Sequence, residues 1–237
     1  LLFATIVCLG AGALGALLTN RSAKAARIVG CGGALLGSIF ALGFGLAGLA
    51  GGSLRLYFPD LLPIGGAALG IDRLSAFFVV MIAVAAIPAA LYGIGYTRAY
   101  EGKHSLGGMG FAFNTFIAAM ILVPLAQNVL TFLALWEVMS LASYFLVITE
   151  HEREGTLGAG WVYFVMTHAG FAALLLGFLL LAQATGTAFF SDWHVVAVGL
   201  VPRSRDLVFV LLAVGFGSKA GVIPLHVWLP RAHPAAP

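Results

Sequence analysis

Two charged side chains lie inside long apolar stretches of this sequence, and they are the residues best suited to chemistry. Glu137 lies within LTFLALWEVMSLASYFLVIT, and Lys219 ends the run LVFVLLAVGFGSK. A charge at the centre of a bilayer costs at least ~2.5–3.5 kcal/mol, and such residues commonly belong to proton or ion pathways. The pattern therefore predicts a proton-handling role for both. Two alternatives stay open: a purely structural ion pair between them, and a tolerated charge without a role.

Polar side chains at helical spacing extend this candidate site. Residues three, four and seven apart share a helix face, so hydroxyl groups are expected beside Glu137. Imidazole groups suit a relay because they change charge near physiological pH, and the one that follows Lys219 in the chain is expected to accept its proton. For both histidines a hydrogen-bonded structural role is the alternative. The residues predicted on this basis are Ser140, Tyr144, Thr167, His168 and His226.

Glycine and proline follow Lys219 closely. Pro224 lacks the N–H group that a helix interior needs, and Gly221 loosens the same turn. Transporter helices that break in mid-membrane place helix ends and water at the ion site. Gly221 and Pro224 therefore predict a helix break beside Lys219. The lysine would then lie near a helix C-terminus, where the helix dipole favours a cation.

The composition places these residues in a membrane protein. Of the 237 residues, 61% are hydrophobic and only 9% are charged, whereas soluble domains carry about 25% charged residues. Scattered single basic residues argue against nucleic-acid binding. Two cysteines in apolar runs and dispersed histidines predict no metal or redox cofactor in this chain. Seven stretches are long enough to span a bilayer as helices: 1–18, 28–50, 73–97, 109–126, 129–149, 158–184 and the interrupted 207–229.

Basic residues are unevenly distributed among the connections. Loops 19–27, 98–108 and 150–157 are expected on one side and hold six of them, against four on the other side. The positive-inside rule places the first side in the cytoplasm and the N-terminus outside. The connection 51–72 is predicted outside, with LRLYF as a short strand of an interfacial hairpin. The chain begins without Met and is interpreted as an N-terminal fragment.

Two motifs resemble those of a known family. WEVMSLASYFLV around Glu137 and GSKAGVIPLHVWLPRAHPAAP around Lys219 resemble the antiporter-like proton-pumping subunits of respiratory complex I, Mrp antiporters and membrane-bound hydrogenases. The last motif is most similar to the B subunit of hydrogenase-4 and to formate hydrogenlyase subunit 3. IDRLSAFFVVMI and GIGYTRAY resemble the third-helix region of the same group. The resemblance extends from about residue 55 to the end, and the first two helices contribute little to it.

The resemblance implies an all-α fold of about fourteen helices with inverted repeats, of which about seven are present here. Residues 1–108 would form helices 1–3 with the external loop 51–72, and residues 109–237 the first, truncated part of the translocation domain. Glu137 and Lys219 would take the key roles of the first half-channel, and His168 would lie where the family often has a polar group. The family context implies a prokaryotic inner membrane, other membrane subunits, and a peripheral redox arm that holds iron–sulfur clusters and nickel–iron. A Mrp-type sodium/proton antiporter subunit and a non-transporting membrane anchor are the alternatives.

Overall fold

The computed structural model of this chain describes residues 1–62, 66–196 and 201–237. Most of the described chain is helical. The turn of the predicted hairpin, residues 63–65, lies outside the described residues. The helices and strands are α1 Leu2–Leu18, α2 Ala23–Leu49, β1 Leu54–Phe58, β2 Ala67–Ile71, α3 Arg73–Tyr96, α4 Leu106–Leu122, α5 Val129–Val147, α6 Thr156–Thr185, α7 Phe190–Val196, α8 Pro202–Ala220 and α9 Leu229–Ala235.

Five of the described helical segments are long and apolar enough to cross a membrane: Ala23–Leu49, Arg73–Tyr100, Leu106–Leu125, Val129–Val147 and Thr156–Thr185. The other two predicted spans differ from these five. The helix α1 has 17 residues, which gives a length of about 26 Å at ~1.5 Å per residue. The helix α8 carries four charged residues among its 19. The structure thus supports a polytopic helical membrane protein with five evident spans.

Side-chain caps fix the beginnings of several helices, and they move two predicted boundaries. Ser22 accepts a hydrogen bond from the N–H of Ala25 at 3.4 Å, so α2 begins at Ala23 and not at residue 28. Lys24 and Arg27, predicted in a loop, therefore lie in the first turns of this helix. Likewise α4 begins at Leu106, because the hydroxyl oxygen of Ser105 accepts the N–H of Gly108 at 3.1 Å. Capping satisfies backbone donors that a helix leaves free at its N-terminus.

Small residues allow α1 and α2 to pack closely. A Cβ atom added at Gly33 would lie 2.4 Å from the Cα atom of Gly12, and one added at Gly37 would lie 2.5 Å from the side chain of Leu9. The Gly33–Gly37 spacing is typical of close helix contacts in lipid. A side chain at Gly33 would thus force the two backbones apart.

The hairpin β1–β2 closes one end of the helix bundle. LRLYF forms β1, which pairs with β2 in antiparallel register from Leu54 opposite Ile71 to Phe58 opposite Ala67. The N–H of Ala68 donates to the hydroxyl of Thr131 at 2.9 Å. Backbone bonds join the same hairpin to the turn between α4 and α5, where the N–H of Gln127 donates to the carbonyl of Ala68 at 3.0 Å. This end of α5 is therefore held by the hairpin.

The three connections that the charge pattern assigns to one side meet at the opposite end. The side-chain oxygen of Asn20 accepts the N–H of Gly107 at 2.9 Å. Arg27, whose side chain is buried, forms an ion pair with Glu101. Tyr100 donates a hydrogen bond to Glu150 at 2.7 Å. These contacts tie the beginning of α2 and the loops after α3 and α5 into one surface.

Candidate functional site

Lys219 lies in the last turn of α8, where the chain leaves the helix. The helix ends at Ala220, and Gly221 adopts φ +73°, a left-handed conformation that suits glycine. Residues 221–228, including Pro224, are not helical, and the next helix begins at Leu229. The indole N–H of Trp228 spans this interruption and donates to the carbonyl of Ser218 at 2.8 Å. The ammonium of Lys219 is therefore placed at the negative end of a helix dipole.

Two hydroxyl groups from neighbouring helices hold the ammonium of Lys219. Its Nζ atom donates to the hydroxyl of Ser140 on α5 at 3.2 Å and to the hydroxyl of Tyr163 on α6 at 3.0 Å. The Tyr163 hydroxyl also shares a hydrogen bond with Ser143. In the described part of the chain, no carboxylate forms an ion pair with Lys219. The lysine thus ends in a hydroxyl cage that can accept and pass on a proton.

Glu137 is paired with His168. The Nε2 atom of His168 lies 2.7 Å from Oε1 of Glu137, and its Nδ1 atom lies 2.8 Å from the carbonyl oxygen of Phe164. A carbonyl oxygen only accepts, so the Nδ1 atom carries the hydrogen of that bond. One proton between Nε2 and Oε1 can then reside on either group, as an ion pair or as a neutral pair. This arrangement is suited to holding a shared proton.

The direct Glu137–Lys219 ion pair of the structural alternative is not formed. Both side chains are half-buried, but Glu137 contacts α6 while Lys219 is held by Ser140 and Tyr163. Ser140 is one turn from Glu137 on α5, a rise of about 4.5 Å. The two charged groups are therefore linked through neighbouring positions of the same helix face. The second carboxylate oxygen of Glu137 is buried and has no hydrogen-bond partner among the described residues.

Three other predicted residues form no side-chain hydrogen bond with the hydroxyl groups of the Lys219 cage. Tyr144 packs against the rings of Phe145 and Phe164, with centroids 5.5 and 5.3 Å away, and is not part of the Lys219 cage. The hydroxyl of Thr167 donates to the backbone of its own helix, at 2.9 Å from the carbonyl of Tyr163. The Nδ1 atom of His226 is buried and has no hydrogen-bond partner among the described residues.

One member of the cage, Ser143, is not among the residues that the sequence pattern predicts. Ser143 follows Ser140 by three residues, which places both hydroxyls on the same side of α5. Its hydroxyl donates to the carbonyl of Ser140 at 2.9 Å. Tyr163 shares a face of α6 with Thr167, but its contact with Lys219 depends on how α6 packs against α8. A pair of serines one turn apart beside a charged residue is the signal that could have revealed the α5 part of the site.

A cavity of about 900 Å³ adjoins the cage. Lys219, Tyr163 and Ser143 line one part of its wall, and most of the remaining wall is apolar. Arg27 and Tyr96 line another part, near the ends of α2 and α3. The described residues contain no group of three or more His, Cys, Asp or Glu side chains arranged to hold a metal ion.

The fold and the site together define a helical membrane protein that keeps titratable side chains inside its helix bundle. Residues 126–237 match the family described as NADH:quinone oxidoreductase/Mrp antiporter, TM. The matched range contains Glu137, His168 and Lys219. The fold, the positions of these side chains and the family match point to the same class of membrane subunit.

Two relatives and one solved structure show what this chain is similar to. It is 40% identical over 188 residues to hydrogenase-4 component B of Escherichia coli K12, covering 79% of this chain and 27% of that one. It is 29% identical over 230 residues to formate hydrogenlyase subunit 3 of the same organism, covering 94% and 34%. It aligns with a chain of respiratory complex I from Thermus thermophilus with bound NADH, with a TM-score of 0.78 and 25% identity, covering 98% and 46%.

The chain is thus homologous to the antiporter-like membrane subunits. It spans about a quarter of the length of hydrogenase-4 component B and about a third of formate hydrogenlyase subunit 3.

Proposed function

We propose that this chain is part of a proton-translocating membrane subunit in a hydrogenase-4-like or complex I-like oxidoreductase. The observation that supports this most directly is the geometry of Lys219. A cation lies at the end of an interrupted helix, it is held by hydroxyl groups that can exchange protons, and it faces a cavity. Lys219 forms no ion pair with a carboxylate of the described chain, so a structural ion pair does not explain its presence.

In this mechanism Lys219 is the group that binds and releases the proton. Its ammonium donates to Tyr163, and the Tyr163 hydroxyl is in turn bonded to Ser143. Hydroxyl groups accept one proton while donating another, so they can carry a proton away without ionising. The Glu137–His168 pair lies one turn from Ser140 and changes the local charge when its shared proton leaves. An anionic pair favours the ammonium form of Lys219, and a neutral pair favours release.

Redox chemistry would take place in partner subunits. This chain is then a subunit of an oxidoreductase with no redox site of its own, and a peripheral arm with iron–sulfur clusters and nickel–iron would supply the driving energy. The sequence similarity to hydrogenase-4 component B and formate hydrogenlyase subunit 3 supports this assignment. Within the complex, other membrane subunits would pack against the apolar outer surfaces of the helices.

A Mrp-type sodium/proton antiporter subunit is the second candidate. The matched family includes Mrp antiporters, and the same Lys219 site would serve an exchange of sodium against protons without redox chemistry. The two candidates differ in what drives transport. Proton uptake that requires an electron donor supports the oxidoreductase, and uptake driven by a sodium gradient alone supports the antiporter.

The experiment that tests the function changes Lys219 in the full-length protein within its membrane complex. Lys219→Ala removes the relay group, and Lys219→Arg keeps the charge but holds its proton at accessible pH. Both are expected to abolish proton uptake by membrane vesicles while the complex assembles normally. Lys103→Arg is the matched control, because Lys103 is exposed in the loop after α3. Normal uptake with Lys219→Arg would leave the lysine as a structural cation and favour the membrane-anchor alternative.

We further propose the complete topology and orientation. The helices α1 and α8 join the five evident spans to make seven, within a full-length fold of about fourteen helices, and the N-terminus lies outside the inner membrane. Cysteines in place of Lys103 and Glu152 should resist an impermeant thiol reagent in intact cells, because the positive-inside rule puts both loops in the cytoplasm. A cysteine in place of Ser53 should react. The reverse labelling pattern would invert the orientation.

A further inference from the structure

A second set of hydrogen-bonded titratable side chains lies at the end of the bundle where the three loops meet. The hydroxyls of Tyr96 and Tyr100 are 3.0 Å apart, and Tyr100 donates to Oε1 of Glu150 at 2.7 Å. Tyr100 is only 7% exposed. Glu150 is half-buried at the surface of the loop after α5. These three groups form a continuous chain from the loop surface to the end of α3.

Tyr96, at the other end of this chain and itself 37% exposed, borders the cavity that Lys219 also lines. Tyr96 and Thr97 at the end of α3 form part of its wall, together with Ser143, Tyr163 and Lys219. Lys219 lies beside the middle of α6, because the hydroxyl of its neighbour Ser218 donates to the carbonyl of Met166 at 2.9 Å. The cavity therefore extends from the helix ends at the loop surface to the middle of the bundle.

We propose that Glu150, Tyr100 and Tyr96 load protons from the loop surface into the cavity that leads to Lys219. This inference rests on the proposed function. Glu150 binds a proton from water at the surface. The hydroxyl of Tyr100, which donates to Glu150 in the structure, first turns toward Tyr96. Tyr100 then accepts the proton of Glu150 and donates its own to Tyr96, whose hydroxyl proton passes to water in the cavity. Only O–H bonds form and break, and no oxidant or reductant takes part. Each hydroxyl keeps one hydrogen, and the chain is reset when Tyr100 again donates to Glu150.

The size of the cavity is compatible with this role. Water occupies about 30 Å³ per molecule in the liquid and enters sites that offer polar partners. A volume of about 900 Å³ has room for a chain of waters, and because most of the wall is apolar, the polar partners for these waters are the groups at the helix ends and those around Lys219. Tyrosine hydroxyls at the loop end and the serine and tyrosine hydroxyls of the cage offer such partners.

Charged and titratable groups from several elements surround the loading chain. Arg153 on the same loop lies 3.8 Å from Glu150. The ring of His104, from the loop before α4, is 5.6 Å from that of Tyr100, and His151 is 6.3 Å from His104. The Arg27–Glu101 ion pair joins the loop that carries His104 to α2. Glu150 is the member of the chain that contacts both Tyr100 and the exposed side chain of Arg153.

The alternative is that these bonds only tie two loops together, and substitutions can separate the two roles. Tyr100→Phe removes the hydroxyl but keeps the ring contacts. Glu150→Gln keeps an oxygen that accepts from Tyr100 but cannot take up a proton. Tyr92→Phe and Glu152→Gln are matched controls: Tyr92 stacks on Tyr96 at 5.5 Å without joining the chain, and Glu152 is exposed on the same loop.

The test measures proton uptake by vesicles that contain the full-length protein in its complex, as a function of pH, with complex abundance measured alongside. Tyr100→Phe and Glu150→Gln are expected to lower uptake about 10-fold or more at high pH, where proton supply limits the rate, and less at low pH. The controls should match the unmodified protein. Abundance should be unchanged in all four variants.

Two results would overturn the proposal. In the first, the Tyr100→Phe and Glu150→Gln variants take up protons as fast as the unmodified protein at every pH, while Lys219→Arg is inactive. This result would refute the loading chain but leave the proposed function intact. The other is a loss of uptake that is uniform with pH and proportional to a loss of complex, which assigns the chain a structural role. Normal uptake by Lys219→Arg would instead refute the proposed function itself.

Discussion

The hydroxyl of Tyr163 offers the sharpest test of the site, because it can be removed with little other change. Tyr163→Phe keeps the ring, which packs 5.0 Å from that of Trp228 and lies 5.4 Å from the Lys219 Nζ atom. It deletes one of the two hydrogen bonds that hold the ammonium. Ser143 is not stranded, because its hydroxyl already donates to the carbonyl of Ser140.

The expected magnitude follows from the loss of this one bond. A hydrogen bond to a charged group contributes about 1.5–3 kcal/mol. Each ~1.36 kcal/mol corresponds to a factor of ten, so the loss is roughly 10- to 150-fold if the bond is needed in the rate-limiting transfer. We therefore expect Tyr163→Phe to lower proton uptake by about one to two orders of magnitude, with normal assembly of the complex.

The assay is proton uptake by vesicles with the full-length complex, and Tyr144→Phe is the control. Tyr144 belongs to the neighbouring helix and packs against Phe164, with no part in the cage. The control is expected to pump normally. Uptake by Tyr163→Phe within a factor of two of the unmodified protein, or an equal loss in both variants, would refute the assigned role of the cage.

Three further predictions concern other parts of the structure. Glu137→Gln and His168→Gln should each impair proton uptake. The double variant should have little less uptake than either single variant, because both substitutions interrupt the same shared-proton bond. Additive losses of uptake would contradict the pairing. Gly33→Ala should lower the yield of folded protein, because its Cβ atom would meet the backbone of α1, whereas Gly32→Ala, which has open space, should not; equal yields would contradict the close packing. Asp72 caps α3, and its bond to a backbone N–H lowers the pKa of its carboxyl. The pKa of Asp72 is thus lower in the folded protein than in the unfolded chain. The stabilisation by the cap is therefore fully present at pH values above the unfolded pKa, and it is lost as the pH falls through the folded pKa. Asp72→Ala should lower the stability of the folded protein by about 1 kcal/mol at neutral pH, measured as faster thermal inactivation in detergent. The difference from the unmodified protein should shrink below about pH 4. A difference that does not change with pH would contradict this role of Asp72.

Local chemistry explains what the sequence alone could predict. Long apolar stretches indicate spans, and Glu137 and Lys219 stand out because charges are rare in such stretches. The end of α8 follows from its own residues: Gly221 readily adopts the left-handed conformation, and Pro224 cannot continue a helix. The short strand LRLYF is likewise a local feature. Helix starts are harder to predict. The Ser22 cap begins α2 before Lys24 and Arg27, and the Ser105 cap begins α4 before two glycines.

Tertiary packing decided which groups meet. The spans are apolar on nearly every side, so the sequence does not show which face of a helix turns inward. The relative rotation of α5, α6 and α8 places His168 against Glu137, and Tyr163 and Ser140 against Lys219. The same packing buries Arg27 against Glu101 and leaves the cavity between the loop surface and the lysine. These contacts join residues tens of positions apart, and only the folded bundle specifies them.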